Sequence, residues 1–345
     1  MGTEASGPTA AEPLAGVGGT KPKCLGIGTY SYMMHWRPAR DQRASTRFTD
    51  ALTFLDYAHQ IGAGGVQVSL GSTDANYAAQ LRAKAESHGM YYEGQASLPQ
   101  NEADVARFEA EVRLAKAAGA GVIRTALLSG RRYETFDSAD AFRRFADRSW
   151  QSLTLAAPVA RRHGMRLAIE NHKDWHAAEL VGLLKRLGSE HVGVCVDTGN
   201  NLALLEDPLE VVSTLAPLAF STHIKDMAVE PCNDGFLLSE VPLGEGFLDL
   251  KRMVEVLEKA NPSLQFSLEM ITRDPLRIPC LTEKYWATMP GLPAKRLAAA
   301  LELVRQKSTN KPLPRVSGLS AQEQLDLEDA NVRACLAFAR TKLGL

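Results

Sequence analysis

Between Cys24 and Ile271 short apolar runs alternate with longer stretches in which apolar residues recur every three or four positions. The short runs predict strands at Leu25–Tyr32, Gly65–Leu70, Tyr91–Leu98, Val122–Leu128, Arg166–His172, Val192–Thr198, Phe220–Asp226 and Gln265–Ile271. The longer stretches predict helices: Phe48, Leu52, Leu55 and Ala58 share one helical face, as do Val105, Phe108, Val112 and Ala115. Gly62, Gly89, Gly119, Gly164, Gly188 and Asn261 stand where a helix should stop before the next strand. Strands alternating with helices imply a parallel sheet covered on both faces. Eight units of about 31 residues each predict a (β/α)8 TIM barrel of the α/β class. An open doubly wound sheet is the competing arrangement, and it should show a glycine-rich phosphate turn after its first strand. In Leu25-Gly-Ile-Gly-Thr29 the glycines sit inside the strand instead.

Both ends of the chain depart from this alternation. Residues 1–22 are mostly small and polar and read as a flexible leader, with neither the basic nor the apolar region of a secretory signal. The barrel is assigned to 23–307, and 308–345 to a linker and C-terminal helix. Lys311-Pro-Leu-Pro314 breaks the chain, Ser320 with Glu323 forms a capping box, and Leu325, Val332, Cys335, Leu336 and Ala339 line one helical face. That helix is expected either to clamp the barrel or to make a subunit contact, with a homo-oligomer or a partner subunit.

Composition narrows the function classes. The 345 residues hold 39 Lys+Arg against 40 Asp+Glu, a net charge of −1, which gives no electrostatic basis for binding nucleic acid or an anionic membrane. No apolar run approaches the roughly 18 residues of a membrane span. Cysteines 24, 195, 232, 280 and 335 are scattered without CxxC spacing. They predict neither a disulfide framework nor a thiolate zinc site, and fit a reducing cytoplasm.

Active sites of such barrels lie at the C-terminal ends of the strands. Four consecutive strand ends carry possible metal ligands: Glu170, Asp197, His223 and Glu269, spaced 27, 26 and 46 residues apart. The last spacing is lengthened by a loop containing Gly244-Glu-Gly246. Neighbouring strands lie about 4.8 Å apart, so the four side chains can converge. Burying three carboxylates together is costly without a cation, which points to one divalent ion. Taken singly, a strand-end Asp is often a helix cap and a strand-end Glu half of an ion pair; the register of four makes the case. Because residues i and i+2 of a strand share a face, His172 should lie beside Glu170 and Lys225 beside His223. A metal cluster with one imidazole and one ammonium suits proton abstraction next to a carbonyl. His172 or a glutamate would act as base and Lys225 as oxyanion stabiliser; the plainer roles are a supporting hydrogen bond for His172 and an ion pair for Lys225. His35, Trp36, Arg124 and Trp175 are candidate substrate contacts, with loop packing as the alternative for the first two.

At these residues the sequence resembles the xylose isomerase-like barrel superfamily, in particular its sugar phosphate isomerase/epimerase branch. The resemblance rests on Ile169-Glu-Asn-His172, Val196-Asp-Thr-Gly199, Thr222-His-Ile-Lys-Asp226, Leu243-Gly-Glu-Gly246 and Leu268-Glu269. It implies that Glu170, Asp197, His223 and Glu269 hold one divalent metal, Mn²⁺ first, with Mg²⁺, Co²⁺ or Zn²⁺ as alternatives. It also implies that Glu170 and Glu269 serve as the acid/base pair of a ketose epimerase. Two positions differ from those epimerases: Asn200 stands where they carry a histidine and Val229 where they carry an arginine, which makes Asn200 a substrate-contact candidate. The Glu-x-His and His-x-Lys pairs look closer to dehydratase-like members and to lyases that cleave 3-oxo-glycosides. The expectation is therefore a metal-dependent isomerase, epimerase or lyase acting on a small carbohydrate. The alternatives are an endonuclease IV-like DNA repair hydrolase, which should have more histidines and a basic groove, and a non-catalytic sugar-binding or scaffolding barrel.

Overall fold

The computed structural model describes residues 23–36, 47–308 and 311–345. The expected leader, 1–22, lies outside them. Among the described residues eleven strands follow one another: β1 Gly26–Gly28, β2 Gly65–Val68, β3 Tyr91–Gln95, β4 Val122–Thr125, β5 Arg166–Glu170, β6 Val192–Asp197, β7 Ala219–Ile224, β8 Asp226–Cys232, β9 Gly235–Val241, β10 Ser267–Leu268 and β11 Leu276–Ile278. Eight of them, all paired in parallel, close into a barrel in the order β1-β10-β7-β6-β5-β4-β3-β2. Each falls within or overlaps one of the eight predicted runs. Helices on the outside cover it, and the glycines foreseen as stops end them: Gly89, Gly164 and Gly188 adopt φ of +66°, +60° and +63°.

One aromatic residue packs over glycines of two neighbouring strands. Tyr91 on β3 lies across β1 and β2, where a Cβ on Gly26 or Gly65 would come within 2.1 or 2.4 Å of its side chain. Its hydroxyl donates to the Phe266 carbonyl at 2.8 Å, so the ring fills space that only glycine leaves free.

Two features depart from the predicted outline. The first run is a strand for only three residues before turning into helical loop at Thr29–Tyr32. The long interval between His223 and Glu269 contains more than a loop: β8 and β9 form an antiparallel hairpin, and β11 adds a third strand. This small sheet has its own core of Met227, Val229, Phe236, Leu238 and Ile278, packed with Tyr133 and Tyr285. The Gly244-Glu-Gly246 loop is drawn onto Asp226, whose carboxylate accepts from the backbone N–H groups of Gly244, Gly246 and Leu248 at 2.9–3.1 Å.

The C-terminal helix, Ala321–Phe338, begins at the foreseen capping box and clamps the barrel, with Val332, Cys335 and Leu336 in the main core. Its Glu328 is fully buried and accepts from Met34 N (2.9 Å), His35 N (3.1 Å) and the His35 ring (2.7 Å). Removing that carboxylate would leave the His35 ring and N–H buried and unpaired, with the half-buried Met34 N–H beside them, so Glu328→Ala is expected to cost about 2–4 kcal/mol. Urea denaturation checks this; a loss below about 0.5 kcal/mol would assign the anchoring of the helix to its apolar face alone.

Candidate metal centre

The predicted quartet converges. One ligand atom each from Glu170, Asp197, His223 and Glu269 lies within 4.8 Å of all the others, and all four residues are buried. Among the described residues this is the one such group. Parallel pairing sets it up: Asp197 lies level with His223, and His223 level with Ser267, two residues before Glu269. His223 Nδ1 is 3.4 Å from Glu170, 4.0 Å from Asp197 and 3.3 Å from Glu269.

Each side chain is aimed by a partner on its far side. His223 Nε2 meets Gln67 Oε1 at 2.7 Å, while the Gln67 amide nitrogen donates to Glu93 at 2.9 Å and so turns its oxygen toward the imidazole. Glu93 is fixed in turn by the Ser221 hydroxyl at 2.6 Å. The Nε2–H tautomer leaves the Nδ1 lone pair facing the carboxylates. Asp197 Oδ1 accepts from Gly199 N (2.9 Å) and Asn200 N (2.8 Å), capping the turn Asn200–Leu204 and leaving Oδ2 for the centre. The strand-end Asp is thus both cap and candidate ligand. Asn171 ties β5 to β6 through Asp197 N (2.8 Å) and Asp197 O (3.0 Å).

Two observations match this donor set to a divalent cation. His223 Nδ1, aimed at the common centre, is buried without a hydrogen-bond partner. Among the described residues the three carboxylates are in ion-pair contact with only two permanent cations: Lys225, 2.8 Å from Asp197 and 2.7 Å from Glu269, and Arg124, whose Nε donates to Glu170 at 2.7 Å. Ligand separations of 3.3–4.0 Å suit an ion bonded to oxygen and nitrogen at about 2.0–2.2 Å.

Above the quartet opens a cavity of about 500 Å³ lined by Tyr30, Gln95, Arg124, His172, Lys173, Glu269 and Arg273, among others. His172 meets the cavity as expected, although β5 ends two residues before it. Its Nδ1 is buried without a partner, and burial lowers its pKa to about 4 against the pull of Glu170, so the ring is neutral. Lys225 does not line the cavity. Its ammonium is held between Asp197 and Glu269, which places it as their charge partner rather than as an oxyanion stabiliser. Asn200 lies beside the quartet, donating to Glu170 at 3.0 Å.

Three predicted substrate contacts are placed elsewhere. His35 turns onto Glu328, Trp36 packs edge-on against Phe54, and Trp175 stacks among Phe142 and Phe145; none lines the cavity. The aromatic loop residues reach neighbouring helices because the chain curls into helical turns straight after β1. Sequence reading missed Gln67, Glu93, Lys173, Glu240 and Arg273. Gln67 and Glu93 were detectable as lone polar residues within otherwise inward-facing strand runs.

Residues 55–305 match the family model of the xylose isomerase-like TIM barrel. The chain belongs to this family. It is 27% identical over 235 residues, covering 65% of this chain and 78% of the relative, to 3-oxo-isoapionate decarboxylase of Pectobacterium atrosepticum. In fold it resembles D-psicose 3-epimerase solved with D-fructose, with a TM-score of 0.62 and 18% identity over 93% of this chain and 100% of that one. It also resembles the magnesium complex of a xylose isomerase-like TIM barrel protein from Mycobacterium smegmatis, with a TM-score of 0.56 and 16% identity over 81% of this chain and 98% of that one. At such identities the solved structures establish the fold alone.

Behind His172 lies a group whose titration is measurable. Asp174 Oδ1 accepts from His172 N (3.1 Å) and Trp175 N (2.9 Å), but Oδ2 is buried without a partner. Burial outweighs these bonds and pushes its pKa up to about 7. An unfolded Asp titrates near 3.9, so the folded chain alone holds this proton between about pH 4 and 7. The stability it confers is complete below about pH 4 and lost as the pH rises through about 7. Relative to Asp174→Asn, the wild type should lose roughly 2–4 kcal/mol between about pH 4 and 7.5, read by denaturant titration at each pH. A difference that does not change with pH would mean that Asp174 is ionised throughout.

Proposed function

We propose that this protein is a divalent-metal-dependent enzyme that removes a proton next to a carbonyl in a sugar-derived substrate, as an isomerase, epimerase or lyase. The convergence of Glu170, Asp197, His223 and Glu269 beneath a cavity walled by the unpartnered imidazole of His172 carries this reading. Family membership and the likeness to a sugar-derivative decarboxylase support a carbohydrate substrate. Mn²⁺ or Mg²⁺ suits three carboxylates and one imidazole. When bound, the ion would supply the charge that polarises vicinal substrate oxygens.

The chain's own groups do the rest. Glu170 is kept ionised against burial by Arg124, and Glu269 by Lys225, so both carboxylates stay available as ligands. His172, neutral and on the cavity wall, takes the proton from carbon, with Glu269 on the same wall as the second acid/base group. Returning the proton to the neighbouring carbon gives isomerisation, and returning it to the opposite face gives epimerisation. Expelling a leaving group gives a lyase. Lys225 keeps Asp197 and Glu269 together, and Asn200 steadies Glu170.

Purified protein is expected to bind about one divalent ion per chain, and both Glu170→Gln and His223→Ala to lose it by elemental analysis. With 3-oxo-glucosides or ketohexoses as substrates, His172→Ala should lower kcat by about 10²–10⁴ and abolish solvent deuterium wash-in while leaving the ion bound. Protein that holds no ion, and whose melting temperature no ion raises, would favour a non-catalytic barrel. Unimpaired turnover in His172→Ala would remove His172 as the base.

A further inference from the structure

The cavity wall is positive, against the slight negative charge of the whole chain. Among the described residues it contains Arg124, Arg131, Lys173 and Arg273 but only two carboxylates, Glu111 and Glu269. Three of these cations already have carboxylate partners: Arg124 with Glu170, Arg131 with Glu134, and Arg273 with Glu240 at 2.6 Å. Lys173 is the exception. It is 2% exposed, and its ammonium donates to the Asn200 amide oxygen. Among the described residues no carboxylate oxygen lies within 4.0 Å of it.

A buried ammonium without a counterion is costly, and this one is held against further strain. Lys173 has φ of +66°, one of only two non-glycine residues with positive φ among those described. The left-handed turn follows directly on His172 and directs the next side chain to the cavity wall rather than to solvent. Burial, with Lys225 and Arg273 nearby, outweighs the more distant Glu240 and Asp197 carboxylates and lowers its pKa to about 8, so at neutral pH most of the population is charged. Strain, burial and an ammonium with no carboxylate in ion-pair contact coincide at one cavity residue.

We propose that Lys173, with Arg273 on the same wall, anchors an anionic oxygen group of the substrate, so that the site selects a sugar acid or sugar phosphate over a neutral sugar. This deepens the metal-dependent carbohydrate reading and rests on it for the identity of the site. The anionic group fixes one end of the substrate and the carbons that react lie over the quartet, so Lys173 is a specificity residue and not the base.

The test uses three matched probes, sorbitol, gluconate and sorbitol 6-phosphate, titrated calorimetrically into the full chain with and without Mn²⁺. One anionic probe should bind about tenfold or more tightly than sorbitol, the gain expected of one desolvated charge pair. The probe that shows it distinguishes carboxylate from phosphate. Lys173→Met should abolish the preference, read as the ratio of anion to sorbitol affinity within that variant, and melt at or above the wild-type temperature because it no longer buries a charge without an ion-pair partner. Lys173→Gln provides the same comparison with a polar side chain should the methionine variant fold poorly, and Lys173→Arg should retain part of the preference. Equal affinity for all three probes, no binding of either anion, or a preference that survives both neutral variants would overturn the proposal. Absence of bound metal would defeat the metal-dependent reading instead, while the anion ratio is still read on the metal-free samples.

Discussion

Three carboxylates buried around one point set the terms for the rest of this structure. Each would lose several kcal/mol of hydration on burial, and their mutual repulsion in a water-poor site adds to that cost. The fold opposes this with Arg124 on one side and Lys225 on the other, both reaching ligand carboxylates. Two positive charges against three negative leave a deficit that a divalent cation would reverse. The supporting hydrogen bonds have the same logic: Gln67, Glu93 and Ser221 form a chain whose end is the orientation of one imidazole.

Barrel geometry turns that requirement into something a linear chain can encode. Parallel strands bring Asp197 and His223 level, and the hydrogen bond from Glu269 N to the Ile224 carbonyl carries the register past the end of β10. The gaps are then closed by side chains that grip the neighbouring backbone. Thr198 Oγ1 accepts from Lys225 N at 3.0 Å and donates to Lys225 O at 2.9 Å. Ser31 spans from the first loop to Leu268 O and Met270 N, on either side of Glu269. Ligand positions therefore depend on paired backbone rather than on loop conformation, which is the condition for a preorganised site.

Eight strands were legible because strands buried on both faces read as continuous apolar runs, and the quartet because it repeats at one place in successive units. The β8–β9 hairpin was legible in principle: Asn233-Asp234-Gly235 between apolar runs is a turn signal. The expectation of one strand–helix unit lengthened by a loop at Gly244-Glu-Gly246 leaves no place for it. Lys173 was not legible, because its meaning depends on a backbone angle and on the absence of a counterion, and neither has a local sequence mark. His35, Trp36 and Trp175 show the converse limit. An aromatic residue just past a strand end reads as pocket wall, yet a short helical turn rotates His35 and Trp36 away from the cavity, and the loop after β5 lays Trp175 against Phe142 and Phe145.

That rotation explains why the chain needs its last helix. Residues 29–36 rise from β1 and contribute Tyr30 and Met33 to the cavity wall, so the wall is only as fixed as this segment. Ser31 holds it from the barrel side, and Glu328 holds it from outside by accepting from two successive backbone N–H groups and the His35 ring. Tyr32 reaches the same helix through Asp329 at 2.8 Å. A segment almost 300 residues away in the chain thereby fixes the first βα loop, with buried acceptors where solvent would otherwise compete. The helix belongs to the scaffold of the cavity, and its buried carboxylate matters to the site through position, although it touches nothing in it.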